Sequence, residues 1–216
     1  MLGIIFTGGK SPLTQVIKKL IDGIKKDIVF IAADSGLEAM QNSGITPDWV
    51  VGDFDSLDDK SRLDCLQKER IIRFDHDKDY TDTELAISLA VEKSCNEIWI
   101  IGGGGGRMDH LFALRSLFER ELFPGRWITD NEDIRCIQAG DLNCDLSLNL
   151  EKNALVSVFP LGAGPWEAES KGLKWQLKGL PWDRGFFGIS NLAAESGVSI
   201  TAIKGRFMVI LPVRGE

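Results

Sequence analysis

The four cysteines, Cys65, Cys95, Cys136 and Cys144, include no Cys-x-x-Cys pair, so neither a thiolate metal cluster nor a disulfide framework is expected. Reduced thiols in a cytoplasmic protein are the default for such a chain. No apolar run approaches the ~18 residues that a membrane-spanning helix needs. The amino-terminal stretch also lacks the basic segment of a secretory signal, so it reads as a first strand. Basic charge is not in excess either: 25 Lys and Arg face 32 Asp and Glu, a formal net charge of -7, which argues against general nucleic-acid binding. Internal repeats, low-complexity tracts and a disordered linker are missing as well. What is present is globular: 216 residues, 44% hydrophobic and 26% charged, suit one large domain or two small ones.

Residues 1–125 alternate strand-like and helix-like segments. Apolar runs at 4–6, 28–33, 49–51, 71–74 and 98–101 read as strands. A helical period over 13–24, with shorter helices at 35–42, 81–91 and 108–118 and a polar one near 58–67, fills the gaps. Such β–α alternation predicts a largely parallel, Rossmann-like sheet covered by helices. From residue 126 the pattern changes to short runs separated by turn residues: 127–129, 134–137, 146–150, 155–159, 173–177, 198–203 and 207–211. Lys204 and Gly205 read as a hairpin turn. The expected fold is therefore an α/β nucleotide domain over 1–125 followed by an antiparallel β-sandwich over 126–216.

The chemistry concentrates at predicted strand ends. The run 49–51 stops at Gly52 and is followed at once by Asp53, Asp55, Asp58 and Asp59. Carboxylates at that place in an α/β sheet face the ligand crevice. Their mutual repulsion calls for a cation, and a hard divalent ion, usually Mg²⁺ beside phosphates, meets the need. A second acidic cluster spans 75–84, where Thr81 and Glu84 form a capping box and place Asp82 in the first helical turn. Asp34 follows the neighbouring strand 28–33. Gly102 to Gly106 lie between a strand and a helix, where backbone N–H groups and a helix N-terminus can meet an anion. Neither a Walker A loop nor a dinucleotide fingerprint fits these glycines. Arg107 can offer a phosphate fork, and Asp109 and His110 open the next helix. Trp175, among alternating residues, is either core or, if exposed, a stacking platform for a cationic ring.

Taken in order, these pieces resemble the thiamine pyrophosphokinase (thiamine diphosphokinase) family. The matching motifs are Asp34-Ser-Gly, Pro47-Asp-x-x-x-Gly-Asp-x-Asp-Ser56, Asp79-x-Thr-Asp82-x-x-x-Ala86, Gly102-Gly-x-x-Gly-Arg107-x-Asp109-His110, Gly172-Leu-Lys-Trp175-x-Leu177 and Ser190-Asn191. The resemblance implies transfer of a pyrophosphoryl group from ATP to the hydroxyl of thiamine, giving thiamine diphosphate and AMP. It implies Mg²⁺ held by Asp53, Asp55 and Asp82 with Asp34. Gly9, Ser56, Gly102, Gly103, Gly106 and Arg107 would serve the nucleotide. Asp109, a candidate for polarising thiamine, would bind it with His110, Trp175, Ser190 and Asn191. A cytoplasmic homodimer with active sites between subunits, and no nucleic-acid or membrane partner, is the implied setting. Two readings compete. The Asp53-Phe-Asp55 pattern also resembles the nucleophile motif of haloacid-dehalogenase-like Mg-dependent phosphatases, and a non-catalytic thiamine- or metal-binding module would use the same residues.

Overall fold

The computed structural model describes residues 1–142 and 144–213, and its first compact unit is a parallel β–α array. The elements are β1 (Leu2–Thr7), α1 (Thr14–Asp22), β2 (Ile28–Ala33), α2 (Gly36–Asn42), β3 (Trp49–Gly52), β4 (Ile71–Arg73), α3 (Asp82–Glu92), β5 (Glu97–Gly102), α4 (Met108–Leu117) and β6 (Arg126–Ile128). Every strand pairing among them is parallel, in the order β6-β5-β1-β2-β3-β4. β1 lies between β2 and β5 and all six of its residues are buried, as an interior parallel strand requires. Leu2, Ile4 and Phe6 from β1 join Ile17 of α1, Leu37 and Met40 of α2, and Val50 of β3 in one apolar core. β6 extends this sheet past residue 125, since Trp99, Ile100 and Ile101 of β5 register against Arg126, Trp127 and Ile128.

Gly36 shows how closely α2 is set on β1. A Cβ at that position would stand 2.2 Å from the Phe6 carbonyl oxygen, so only glycine admits the helix start there. The polar helix expected near 58–67 is instead two 3₁₀ turns, Lys60–Leu63 and Lys68–Arg70. Only Leu63 is buried in this stretch, too little to hold an α-helical face, and the Asp59 carboxylate caps a single turn by accepting from the Ser61 N–H.

The second unit comprises Phe118–Gly125 and Glu132–Pro212. Its strands are β7 (Glu132–Gln138), β8 (Asp145–Asn149), β9 (Leu155–Leu161), β10 (Glu167–Lys171), β11 (Gly188–Leu192), β12 (Gly197–Lys204) and β13 (Arg206–Pro212). They form two antiparallel sheets, β11-β9-β13-β7 and β10-β12-β8. Val156 and Val158, Val198, Ile200 and Ala202, and Phe207 and Val209 alternate into one shared core, the arrangement of a sandwich.

Two expectations for this unit fail. Residues 173–177 are not a strand: only Leu173 makes an isolated bridge, to Ala193. Leu173 and Leu177 bury while the three residues between them are exposed, a four-residue rather than two-residue period. Local bonds replace the ladder, with Ser170 Oγ accepting from the Leu177 N–H and Gln176 Nε2 donating to the Leu173 carbonyl. Lys204 and Gly205 do not close a hairpin, because β12 and β13 lie in different sheets and the turn carries the chain from one to the other.

Candidate active site

The strand order reverses between β1 and β5, because the chain runs outward from β1 to β4 and then returns to the other side of β1. At such a switch point the carboxyl ends of the strands leave a crevice for ligands. The loops at that edge carry the predicted residues: Gly9 after β1, Asp34 after β2, Asp53 and Asp55 after β3, Asp82 opening α3 after β4, and the glycine run after β5.

The β3 turn presents its acids because Phe54 is anchored. Phe54 is fully buried with φ +62°, under the Arg73 guanidinium, and this holds Asp53 and Asp55 on either side of it. Gly52, at φ +148°, lets the turn pass close to Asp34, whose Cβ would lie 3.2 Å from an added Cβ. Asp34 itself sits in the left-handed region at φ +47°, which an aspartate tolerates better than most side chains. Asp82 is placed by the capping box: Thr81 Oγ1 accepts from the Glu84 N–H and Glu84 Oε2 accepts from the Thr81 N–H.

Asp34, Asp53 and Asp82 converge, each offering a carboxylate oxygen within 4.8 Å of the others. Asp34 Oδ1 is buried with no hydrogen-bond partner among the described residues, while Asp34 Oδ2 accepts from the Ser56 hydroxyl. A buried, unpartnered carboxylate oxygen beside two more carboxylates is a donor set suited to a hard divalent cation, so the residues fit Mg²⁺. Asp55 is exposed and groups differently, with Asp53 and His76. His76 Nδ1 lies 3.1 Å from Asp53 Oδ2 and 3.2 Å from Asp55 Oδ2.

Sequence reasoning missed Lys78. Its Nζ stands 3.1 Å from Asp53 Oδ2 and 3.1 Å from Asp82 Oδ1, and the side chain is largely buried. The available signal was the four-residue spacing of Lys78 and Asp82 across the start of α3. Burial disfavours the Asp53 anion, yet the Asp55 N–H, Lys78, the Asp55 carboxyl and His76 outweigh it and hold Asp53 well below the usual carboxylate range. Asp82 shifts upward, because burial and the Asp34 and Asp53 charges overcome the pull of Lys78.

Part of the glycine run is spent on structure. The N–H groups of Gly103 and Gly104 donate to the Gly8 and Lys10 carbonyls, and the Lys10 N–H donates to Gly104. Gly102 accepts from Trp127 Nε1. These bonds fix the first loop against the second, and the exposed Gly105, Gly106 and α4 start form the accessible face. There Arg107 grips Asp109 through two nitrogens, at 3.1 and 2.6 Å, while Asp109 Oδ1 also accepts from the His110 N–H. That exposed pair contributes little stability, so phosphate can replace carboxylate on the guanidinium at small cost.

In the second unit Trp175 is 54% exposed, which decides against a core role. Lys174 Nζ lies over its ring, 4.5 Å from the centroid. Asn191 is buried and holds the Trp175 backbone from both sides: its Oδ1 accepts from the Trp175 N–H, and its Nδ2 donates to the Trp175 carbonyl. Asn191 therefore positions Trp175. Ser190 is exposed, with φ +56°, and its N–H donates to Ser157 Oγ.

Comparison with known proteins gives the family. Residues 21–124 match the sequence model described as thiamin pyrophosphokinase, catalytic domain, and residues 143–206 match that of the thiamin pyrophosphokinase vitamin B1 binding domain. Thiamine pyrophosphokinase of Bacillus subtilis is 27% identical over 153 residues, 69% of this chain and 70% of that protein. A crystal structure of thiamine pyrophosphokinase from Bacillus subtilis superposes with a TM-score of 0.76 at 25% identity, covering 99% of both chains. The Candida albicans thiamin pyrophosphokinase, at 15% identity, shares the fold with a TM-score of 0.73 over 99% of this chain and 89% of its own. With both family models met in chain order over more than three quarters of its length, the chain belongs to the thiamine pyrophosphokinase family.

Proposed function

We propose that this chain transfers a pyrophosphoryl group from ATP to the hydroxyl of thiamine, with Mg²⁺ held by Asp34, Asp53 and Asp82 and reached by Asp55. The observation that carries the reading is the convergence of three carboxylates, one with a buried unpartnered oxygen, at the carboxyl edge of the parallel sheet. Bound there, Mg²⁺ supplies neutralisation of the triphosphate charge. The chain's own residues orient the partners. Asp53, kept ionised by its neighbours, stays a ligand at neutral pH and below. Arg107 exchanges Asp109 for phosphate and frees that carboxylate to bind thiamine together with His110. The exposed ring of Trp175 stacks on thiamine's cationic ring, and Ser190 shapes the pocket wall. Transfer of this kind depends on positioning and charge rather than on a protein nucleophile, so no phosphorylated aspartate forms.

A cytoplasmic homodimer, with thiamine contacts supplied across subunits, is part of the same proposal. Met108 and Phe112 on α4, and Phe187 and Ile189 in the second unit, are large apolar side chains left exposed, which supports covering by a second copy. No described helix is long and apolar enough to cross a membrane. Incubation with ATP, Mg²⁺ and thiamine tests the reading: AMP and thiamine diphosphate should appear together. Folded protein that forms neither overturns it.

A further inference from the structure

The loop that follows β4 brings a cation in among the carboxylates. Lys78 Nζ bridges Asp53 Oδ2 and Asp82 Oδ1, 3.1 Å from each, with only 15% of the side chain exposed. Both carboxylates belong to the trio whose oxygens lie within 4.8 Å of one another, the third member being Asp34. Like charges at that spacing repel strongly unless a cation stands between them. His76 does not fill the role for this pair, being 82% exposed and reaching Asp53 and Asp55 rather than Asp82.

We propose that Lys78 is the built-in counter-ion of the Asp53–Asp82 pair and is displaced by the divalent ion, so that metal and ammonium compete for the same carboxylates. The inference rests on the metal site proposed above. A divalent ion taking oxygens from Asp34, Asp53 and Asp82 would stand within a few ångströms of the present Nζ position, where two cations repel. Lysine suits such an exchange, since its compact ammonium rides on a flexible stem and can withdraw without moving backbone. The consequence is a site that holds its acids together when empty and binds metal weakly by itself. The phosphates of ATP offset that weakness by bringing their own charge, so metal enters as the nucleotide complex. Lys78 is in this sense a positioning residue.

The test uses Mn²⁺ alone, without nucleotide, followed by electron paramagnetic resonance and by thermal unfolding, on the full chain, Lys78→Met, Lys78→Arg and Asp82→Asn. Removing the competing charge should tighten Mn²⁺ binding in Lys78→Met by on the order of tenfold and enlarge the metal-dependent rise in Tm. Equal or weaker binding by Lys78→Met overturns the proposal. Lys78→Arg keeps the charge but forks across both carboxylates, so it should bind Mn²⁺ more weakly than the original chain. If Lys78→Met does not fold, this variant decides, and binding at or above the original level overturns the proposal. Asp82→Asn separates the two layers: Mn²⁺ binding insensitive to Asp82→Asn sinks the metal site itself. Binding that needs Asp82 but ignores Lys78→Met sinks the counter-ion alone.

Discussion

At the residue scale, the acids at the strand ends differ in what surrounds them, and that sets different outcomes for their removal. Asp53 is half-buried and tied to Lys78 and His76, whereas Asp55 is exposed. Asp53→Asn should lower turnover by on the order of a hundredfold and Asp55→Asn by less, both with native circular dichroism. Full activity in Asp53→Asn would remove it from the metal site. Trp175 and Asn191 form a matched pair of tests. Trp175→Ala should raise KM for thiamine well above its effect on KM for ATP. Asn191→Ala should do the same and also cost about 1 kcal/mol of stability, because it removes two part-buried hydrogen bonds to the Trp175 backbone. A thermal melt beside the kinetics distinguishes them; an Asn191→Ala enzyme with normal thiamine KM would show that Trp175 keeps its place unaided.

At the element scale, two helix starts carry the site. The first turn of α3 holds Asp82 through the Thr81–Glu84 box. Thr81→Ala should cost about 1 kcal/mol by chemical denaturation, and turnover should fall further than that loss explains, because Asp82 loses its fixed place. Stability lost with turnover intact would separate the cap from the chemistry. α2 begins at Gly36 against the β1 backbone, and Gly36→Ala should cost about 1–3 kcal/mol through overpacking, since the new methyl meets the Phe6 carbonyl at 2.2 Å. An unchanged Tm would mean that α2 can slide on β1. Helices of this kind are legible in sequence because cap, period and burial are local. The stretch 173–177 is not: its hydrophobic spacing suits a strand, while Ser170 and Gln176, read locally, give no sign that they will take over its backbone groups.

At the scale of the whole molecule, charge and thiol placement give two further checks. Adding Mg²⁺ in the presence of ATP should raise Tm, approaching about 2.7 kcal/mol of stabilisation when the complex is at a hundred times its dissociation constant. A chelator should reverse the gain, and a Tm indifferent to both would remove the metal from the folded state. Among the cysteines, Cys65 is exposed and should react with a thiol reagent in the native protein. Cys95 and Cys136 are buried, and burial pushes the Cys136 thiol up to about 12, so both should react only after unfolding. Rapid native labelling of Cys136 would contradict the packing of β7 against β13.

The chain by itself determined the β–α alternation of the first part, the change to short strands in the second, and the acidic and glycine-rich strand ends, because periodicity, caps and turn residues act within a few positions; that β6 still joins the parallel sheet was not among them. Tertiary structure decided what those ends meet. It brought Asp34, Asp53 and Asp82 together, set Asp55 with His76, placed Lys78 between two of the acids and turned Gly205 into a corner between sheets. Each of those contacts depends on the direction of a side chain or on which strands become neighbours. Neither is written in local hydrophobic period, and both follow only once the whole sheet order is closed.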